Sequence, residues 1–279
     1  MMKIVPLVQR TAILMAVPVL FLLFSYLLFP TARIDAILAE ALSQQGLTLA
    51  PAVHKTVLPG LAWDNALLSS NQGPLLSCER LHVRALLLPL CVGRAVVSGA
   101  ATIGTGHLDI RYALNGTAAL EFDADSISLA DIPFFKSVLG AKAAGSFWSR
   151  GTLQRGSKGL NGELKLEIKN LEFSGVKMGA FPLPDAANLK TQGMVRVRDG
   201  KARLESFTLE GNGIYMRLSG DLPVDAAGVA PLNLSLEIMP KPEFLEKQKL
   251  VFMVLAKFMV SPGVYKVPIR GTLLKPQIL

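Results

Sequence analysis

Over much of the chain, apolar and polar side chains alternate one by one. Leu120, Phe122 and Ala124 are interleaved with Glu121, Asp123 and Asp125, and Leu164, Leu166 and Ile168 with Glu163, Lys165, Glu167 and Lys169. Ile214, Met216 and Leu218 alternate with Tyr215, Arg217 and Ser219, and Leu232, Leu234, Leu236 and Ile238 with Asn233, Ser235 and Glu237. Successive strand side chains point to opposite faces, so this period predicts antiparallel strands with one buried and one wet face. Glycine-bearing breaks separate the runs at Asp199-Gly200, Gly211-Asn212-Gly213 and Gly220-Asp221. The segments 201–210 and 213–220 read as a hairpin with a short Gly-Asn turn. Within 162–173 the apolar phase flips after Asn170, to Leu171 and Phe173, which predicts a bulge.

Three stretches change to a helical period. From Ala32 to Gln45 the apolar residues Ile34, Ile37, Leu38, Ala41 and Leu42 share one face, and Gly46 suits the end of a helix. Asp131–Leu139 opens with an acid at the N-cap and Pro133 in the first turn. Pro242–Met259 carries Phe244, Val251, Phe252, Leu255, Phe258 and Met259 on one side. Its apolar end is unusual for a helix in a water-facing domain. Val251, Phe252, Leu255, Phe258 and Met259 are therefore candidates for a lipid or membrane contact, or for a lid over an apolar groove.

From Thr11 to Phe29 no residue is charged. At about 1.5 Å per residue such a helix reaches roughly 28 Å, close to the ~30 Å hydrocarbon core of a bilayer. Pro18 predicts a kink, because the freed carbonyl needs another partner. A secretory signal peptide has a shorter apolar core of about 7–15 residues and a small-x-small exit. The exit here reads Phe29-Pro30-Thr31-Ala32-Arg33, which predicts an uncleaved anchor. Lys3 and Arg10 precede the run without an acid, so the N-terminus is expected inside. The expected organisation is 1–10 cytoplasmic, 11–29 a single transmembrane helix, and 30–279 one exported β-rich domain. The resulting fold class is mainly β with helical inserts: one N-terminal transmembrane helix, then a curved antiparallel sheet or sandwich.

Composition agrees with a membrane-associated chain. Hydrophobic residues make up 51% and charged residues 18%, against about 25% charged in an average soluble domain. The formal net charge is +8. The Lys and Arg residues are dispersed and not interleaved with aromatics, which argues against nucleic acid. An excess of positive charge suits anionic headgroups or an acidic partner.

Candidate chemistry is sparse, and no enzymatic activity, cofactor or metal is expected. Gly151-Thr-Leu-Gln-Arg-Gly156-Ser157-Lys158 has the wrong order for a phosphate loop and precedes a strand. Gly211-x-Gly213 sits in a hairpin and lacks the rest of a dinucleotide fingerprint. Cys78, His82, Cys91 and His107 are too scattered for a zinc site. Glu121, Asp123 and Asp125 are explained as a solvated strand face. Cys78 and Cys91 would lie in an oxidising compartment, and two facing strands could bring them together, so a disulfide between them is expected.

Short phrases along the chain carry a resemblance. They are Gly60-Leu-Ala-Trp63-Asp64-Asn65, Val97-Ser-Gly-Ala100 with Gly104-Thr-Gly106, Asp131-Ile-Pro133-Phe, Leu218-Ser-Gly220-Asp-Leu222 and Ile269-Arg-Gly271-Thr-Leu273 through Pro276. With the anchor before them, the chain resembles the N protein of bacterial type II secretion systems, a family similar to the AsmA-like periplasmic β proteins. The resemblance implies a non-enzymatic accessory inner-membrane component in export across the outer membrane. Its partners would be inner-membrane lipids and other secretion subunits, namely the inner-membrane platform and the secretin. At the AsmA-like level it implies an open apolar groove for lipid binding or transfer. A topology reporter fused after the last residue should be active on the periplasmic side; activity confined to the cytosol would overturn the predicted orientation.

Overall fold

The computed structural model describes residues 30–56, 59–116, 118–179, 181–211, 213–223 and 231–278. The expected anchor 11–29 and the segment 1–10 lie outside the described residues. Among the described residues, no helix is long and apolar enough to cross a membrane.

The chain starts with helix α1 (Thr31–Ser43), followed by β1 (Leu47–Ala50), β2 (His54–Lys55), β3 (Gly60–Ser70) and β4 (Gly73–Ala85). A one-turn helix, α2 (Leu87–Cys91), leads to β5 (Val96–Ile103), β6 (Gly106–Ala113) and β7 (Ala118–Ser128). A 3₁₀ turn (Leu129–Asp131) and α3 (Phe134–Leu139) precede the long strands β8 (Lys142–Gly156) and β9 (Gly159–Ser174). A small ribbon, β10 (Lys177–Met178) and β11 (Phe181–Pro182), comes before β12 (Ala186–Arg198), β13 (Lys201–Gly211), β14 (Ile214–Leu222) and β15 (Asn233–Pro240). Two short helices, α4 (Pro242–Lys247) and α5 (Lys249–Leu255), then lead to β16 (Met259–Ser261), β17 (Val264–Thr272) and β18 (Lys275–Ile278).

Sixteen of these strands form one antiparallel sheet that follows chain order almost without exception, β1-β3-β4-β5-β6-β7-β8-β9-β12-β13-β14-β15-β17-β16, with β2 beside β3 and β18 beside β17. The sheet is open. Its two edges are made of strands only two to four residues long, which limits edge-to-edge pairing. Twisted open sheets rarely pass about ten strands without curling. The α3 connection follows β7 yet packs on β4. A Cβ on Gly73 would lie 3.4 Å from Ser137.

The alternation read from the sequence becomes the two faces of the sheet. Leu234, Leu236 and Ile238 are buried, as are Ile214 and Met216. The outer face holds cross-strand ion pairs: Arg150 with Asp123 at 2.8 Å, and Arg196 with Glu163 at 3.0 Å and Glu205 at 3.2 Å. Such exposed pairs contribute about 0–1 kcal/mol each, so burial of the inner face dominates stability. The expected bulge is present: Gly145 faces the Asn170 region, where the register between β8 and β9 shifts, and Asn170 has φ 51°. The hairpin at 211–214 pairs Gly211 with Ile214.

The helices differ from expectation in their bounds. Asp131 ends a 3₁₀ turn instead of capping a helix, and Pro133 occupies the N-cap of α3. Pro242–Met259 is no single helix. It breaks at Gln248 (φ −124°, ψ 36°) and ends in a 3₁₀ turn and a strand. Two helical pieces can each turn a phenylalanine, Phe244 and Phe252, toward the same core.

The hairpin connections alternate between the two ends of the sheet. One end carries α2 and the β6–β7, β8–β9 and β12–β13 turns. The other carries α3, the β10–β11 ribbon and α4–α5. Helix α1 lies back along β1, and Asp35 Oδ1 accepts from the Val53 N–H at 2.8 Å. Because His54 pairs with Ala62, the first turn of α1 is level with the start of β3. The chain therefore enters at the α2 end.

Ile238 is fully buried at the centre of β15. Ile238→Ala should lower the unfolding free energy by about 2–5 kcal/mol in denaturant titration. Trp63→Ala should cost about 3–5 kcal/mol. Leu166→Ala should cost less than either, because Leu166 is only half-buried.

Candidate apolar binding site

Register places the inner-face residues in rows that cross the whole sheet. One row runs through Leu61, Val83, Gly99, Ile110, Phe122 and Gly151. It continues through Leu164, Val195, Leu204, Gly220, Leu234 and Ile269. The next row runs through Trp63, Leu81, Ala101, Leu108, Ala124 and Ser149. It continues through Leu166, Gly193, Phe207, Leu218, Leu236 and Val267. In both rows Ser149 is the one polar side chain.

Two glycines in these rows are steric necessities. A Cβ on Gly151 would meet the Glu163 carbonyl oxygen at 2.5 Å and the Leu164 Cα at 2.7 Å, and one on Gly193 would meet the Phe207 ring at 2.5 Å. The missing side chains let a neighbouring strand and ring come close.

Two buried clusters line this face. The first gathers Trp63, Ala66, Cys78, Ile103 and Ile127, with Ile34 and Leu38 of α1 packed against them. The second gathers Leu189, Ile238, Phe252, Leu255 and Val267 with their neighbours. Ile132 and Phe147 touch both clusters. The central stretch between them is only half covered: Leu164, Leu166, Val195 and Phe207 are all partly exposed.

A cavity of about 200 Å³ adjoins this stretch. Its floor is the sheet, through Ile168, Phe207, Leu218 and Leu236, and its cover is Phe135 and Leu139 of α3 with Met178 and Leu183 around the small ribbon. Every residue lining it is apolar. An engineered apolar cavity of about 150 Å³ stays dry and takes up benzene. This larger space has the chemistry to hold a stretch of hydrocarbon, and it offers no polar group to orient a headgroup. Ser149 Oγ is buried without a hydrogen-bond partner among the described residues. It lies on the same face, in the half-open central stretch.

The structure corrects the cysteine expectation. Cys78 is a free, buried thiol. It lies within β4 opposite Ala66, and burial pushes its pKa up. The segment around Leu87–Cys91, read as strand, forms α2 beyond the end of β4. Between Cys78 and Ala85 the chain is extended at about 3.3 Å per residue, so α2 starts roughly 20 Å further on, whereas a bridge needs Cα atoms within about 7 Å.

The five apolar residues of the α5 region are divided. Phe252 and Leu255 are buried in the core, against Phe244 and Tyr265. Val251 and Phe258 are half-buried against the same cluster, and Met259 alone is exposed. They are mostly a cover for the sheet. The exposed apolar ridge lies one step around the helix, at Leu250, Met253 and Val254, and extends to Val260. Helical phase contained that distinction, but only the packing decides which stripe faces the sheet. The cavity-lining Phe135, Leu139, Phe207 and Leu218 were not read from sequence as one site, because their convergence depends on register between distant strands.

Comparison with protein families, curated proteins and solved structures finds no match.

Two measurements check these assignments. Cys78 should resist maleimide in the native protein and react once the chain is unfolded without reductant; reaction that requires prior reduction would restore the bridge. Ser149→Ala should leave the melting temperature unchanged or raised, since it removes a buried hydroxyl with no partner.

Proposed function

We propose that this chain is a non-enzymatic accessory component of type II protein secretion. Residues 11–29 tether it to the inner membrane, and residues 30–279 form an AsmA-like β-rich body in the periplasm. The observation that carries this reading is the single uninterrupted meander with an apolar face, entered by α1 at one end of the sheet. The phrases shared with the secretion family fall at structural points. Gly60-Leu-Ala-Trp63 opens β3, Leu218-Ser-Gly220 lies where β14 pairs closely with β15, and Ile269-Arg-Gly271-Thr closes β17. A long rigid sheet suits a protein that holds partners at a set distance from the membrane. The ridge of Leu250, Met253 and Val254 stands at the end opposite the first turn of α1 and is assigned to contact with another secretion subunit. Met253→Asp leaves the core untouched and should reduce exoprotein release in a strain lacking the native chain. Undiminished release would remove the ridge from the function.

A second reading is favoured by the cavity. Its wholly apolar lining and the half-covered Leu164, Leu166 and Val195 beside it suit an acyl chain, as in lipid binding or transfer. In native membranes a photoactivatable phospholipid should cross-link peptides carrying Ile168, Phe207 or Leu218. Ala143→Leu, which fills space at the cavity wall, should cut that labelling several-fold. Labelling that is absent from these peptides, or insensitive to the substitution, would leave the cavity a packing void.

A further inference from the structure

We infer that the end of the sheet at which the chain enters is a second membrane contact: a rigid rim of hairpin tips that seats Leu90, Val92 and Leu114 in the headgroup region of an anionic bilayer. The inference rests on residues 11–29 being a membrane anchor.

Three observations meet at this rim. The first is exposure of apolar residues. Leu90 is 48% exposed, Val92 74% and Leu114 54%. Leu90 and Val92 are at or beside α2, a single turn that projects past the last β4–β5 pair, and Leu114 is on the neighbouring β6–β7 turn. None of the three belongs to either buried cluster.

The second is rigidity. The tips are tied to one another by hydrogen bonds between turns. The Leu114 N–H donates to the Ala95 carbonyl at 2.8 Å. Asn115 Nδ2 donates to the Gly93 carbonyl at 2.7 Å, and its Oδ1 accepts from the Ala95 N–H at 3.0 Å. Arg155, from the β8–β9 hairpin, donates to the carbonyls of Leu114 at 2.8 Å and Ala113 at 3.2 Å. The Gly200 N–H reaches the Leu160 carbonyl at 3.0 Å, and the Asp199 N–H reaches Asn161 Oδ1 at 2.8 Å. Four successive hairpin ends thus form one stitched edge. Loop tips that served only to reverse the chain would not need such cross-links, and holding apolar side chains out in water is unfavourable.

The third is charge and position. Arg84, Arg94, Arg155, Lys158, Arg198 and Lys201 are all exposed on this edge, with Asp199 the one acid among the described turn residues beside them. Basic residues near an anionic surface are drawn to it by its negative potential. The first turn of α1 lies at this same end, and with it Pro30, the first described residue. Apolar side chains flanked by Arg and Lys, at the point where the tether arrives, match an anionic bilayer surface in both chemistry and place.

The test uses the full chain in vesicles of brominated phosphatidylcholine and phosphatidylglycerol, with tryptophan at one added position and the unsubstituted chain as baseline. Leu90→Trp should lose roughly half or more of its added emission to quenching, as for a ring seated ~5–10 Å into the headgroup boundary. Met253→Trp, at the opposite end of the sheet, should be unaffected. Phe21→Trp reports the anchor separately. If Phe21→Trp is quenched and Leu90→Trp is not, the rim contact is refuted while the anchor stands. If neither is quenched, both fail. Equal quenching of Leu90→Trp and Met253→Trp would mean general adsorption and would also overturn the proposal.

Discussion

The structure depends on covering one apolar face. A sheet of sixteen strands presents rows such as Phe122–Gly151–Leu164–Val195–Leu204, which would be costly to leave flat in water at about 25 cal/mol per Å². Everything else in the fold answers that constraint. Helix α1 closes one region through Ile34 and Leu38, and α4–α5 close the other through Phe244, Phe252 and Leu255. The outer ion pairs, at a few tenths of a kcal/mol to about 1 each, decorate a fold that burial has already determined.

Coverage is incomplete in the middle. Between the two clusters Leu164, Leu166 and Val195 remain half-exposed, and the adjoining cavity is walled by apolar groups alone. On the same face, Gly151 and Gly193 mark close approaches of the backbone and of the Phe207 ring, where a Cβ would not fit.

The two ends of the sheet have different characters. The end where the chain enters is a row of hairpins cross-linked through Asn115, Arg155 and Asn161 and rich in arginine and lysine. The far end is built of helices and a short ribbon that pack onto the sheet and leave the Leu250–Met253–Val254 ridge outside. Under the proposed function, this polarity would put the bilayer contact and the subunit contact at opposite ends of the sheet.

Alternation in the sequence was enough to establish a mainly β protein, the direction of its faces, the α1 segment, the hairpin at Gly211–Ile214 and the bulge at Asn170, because period-two patterning and turn residues act between near neighbours. Partnership between distant residues was beyond it. Cys78 and Cys91 looked bridgeable until Leu87–Cys91 proved to be a helical tip beyond the strand end. Phe252 and Leu255, read as a membrane contact or a lid over a groove, are buried against the sheet. The cavity, the rows and the stitched rim arise from register and from the path of the chain between the two ends. These are set by the summed burial of many side chains at once, a quantity no local window of sequence contains.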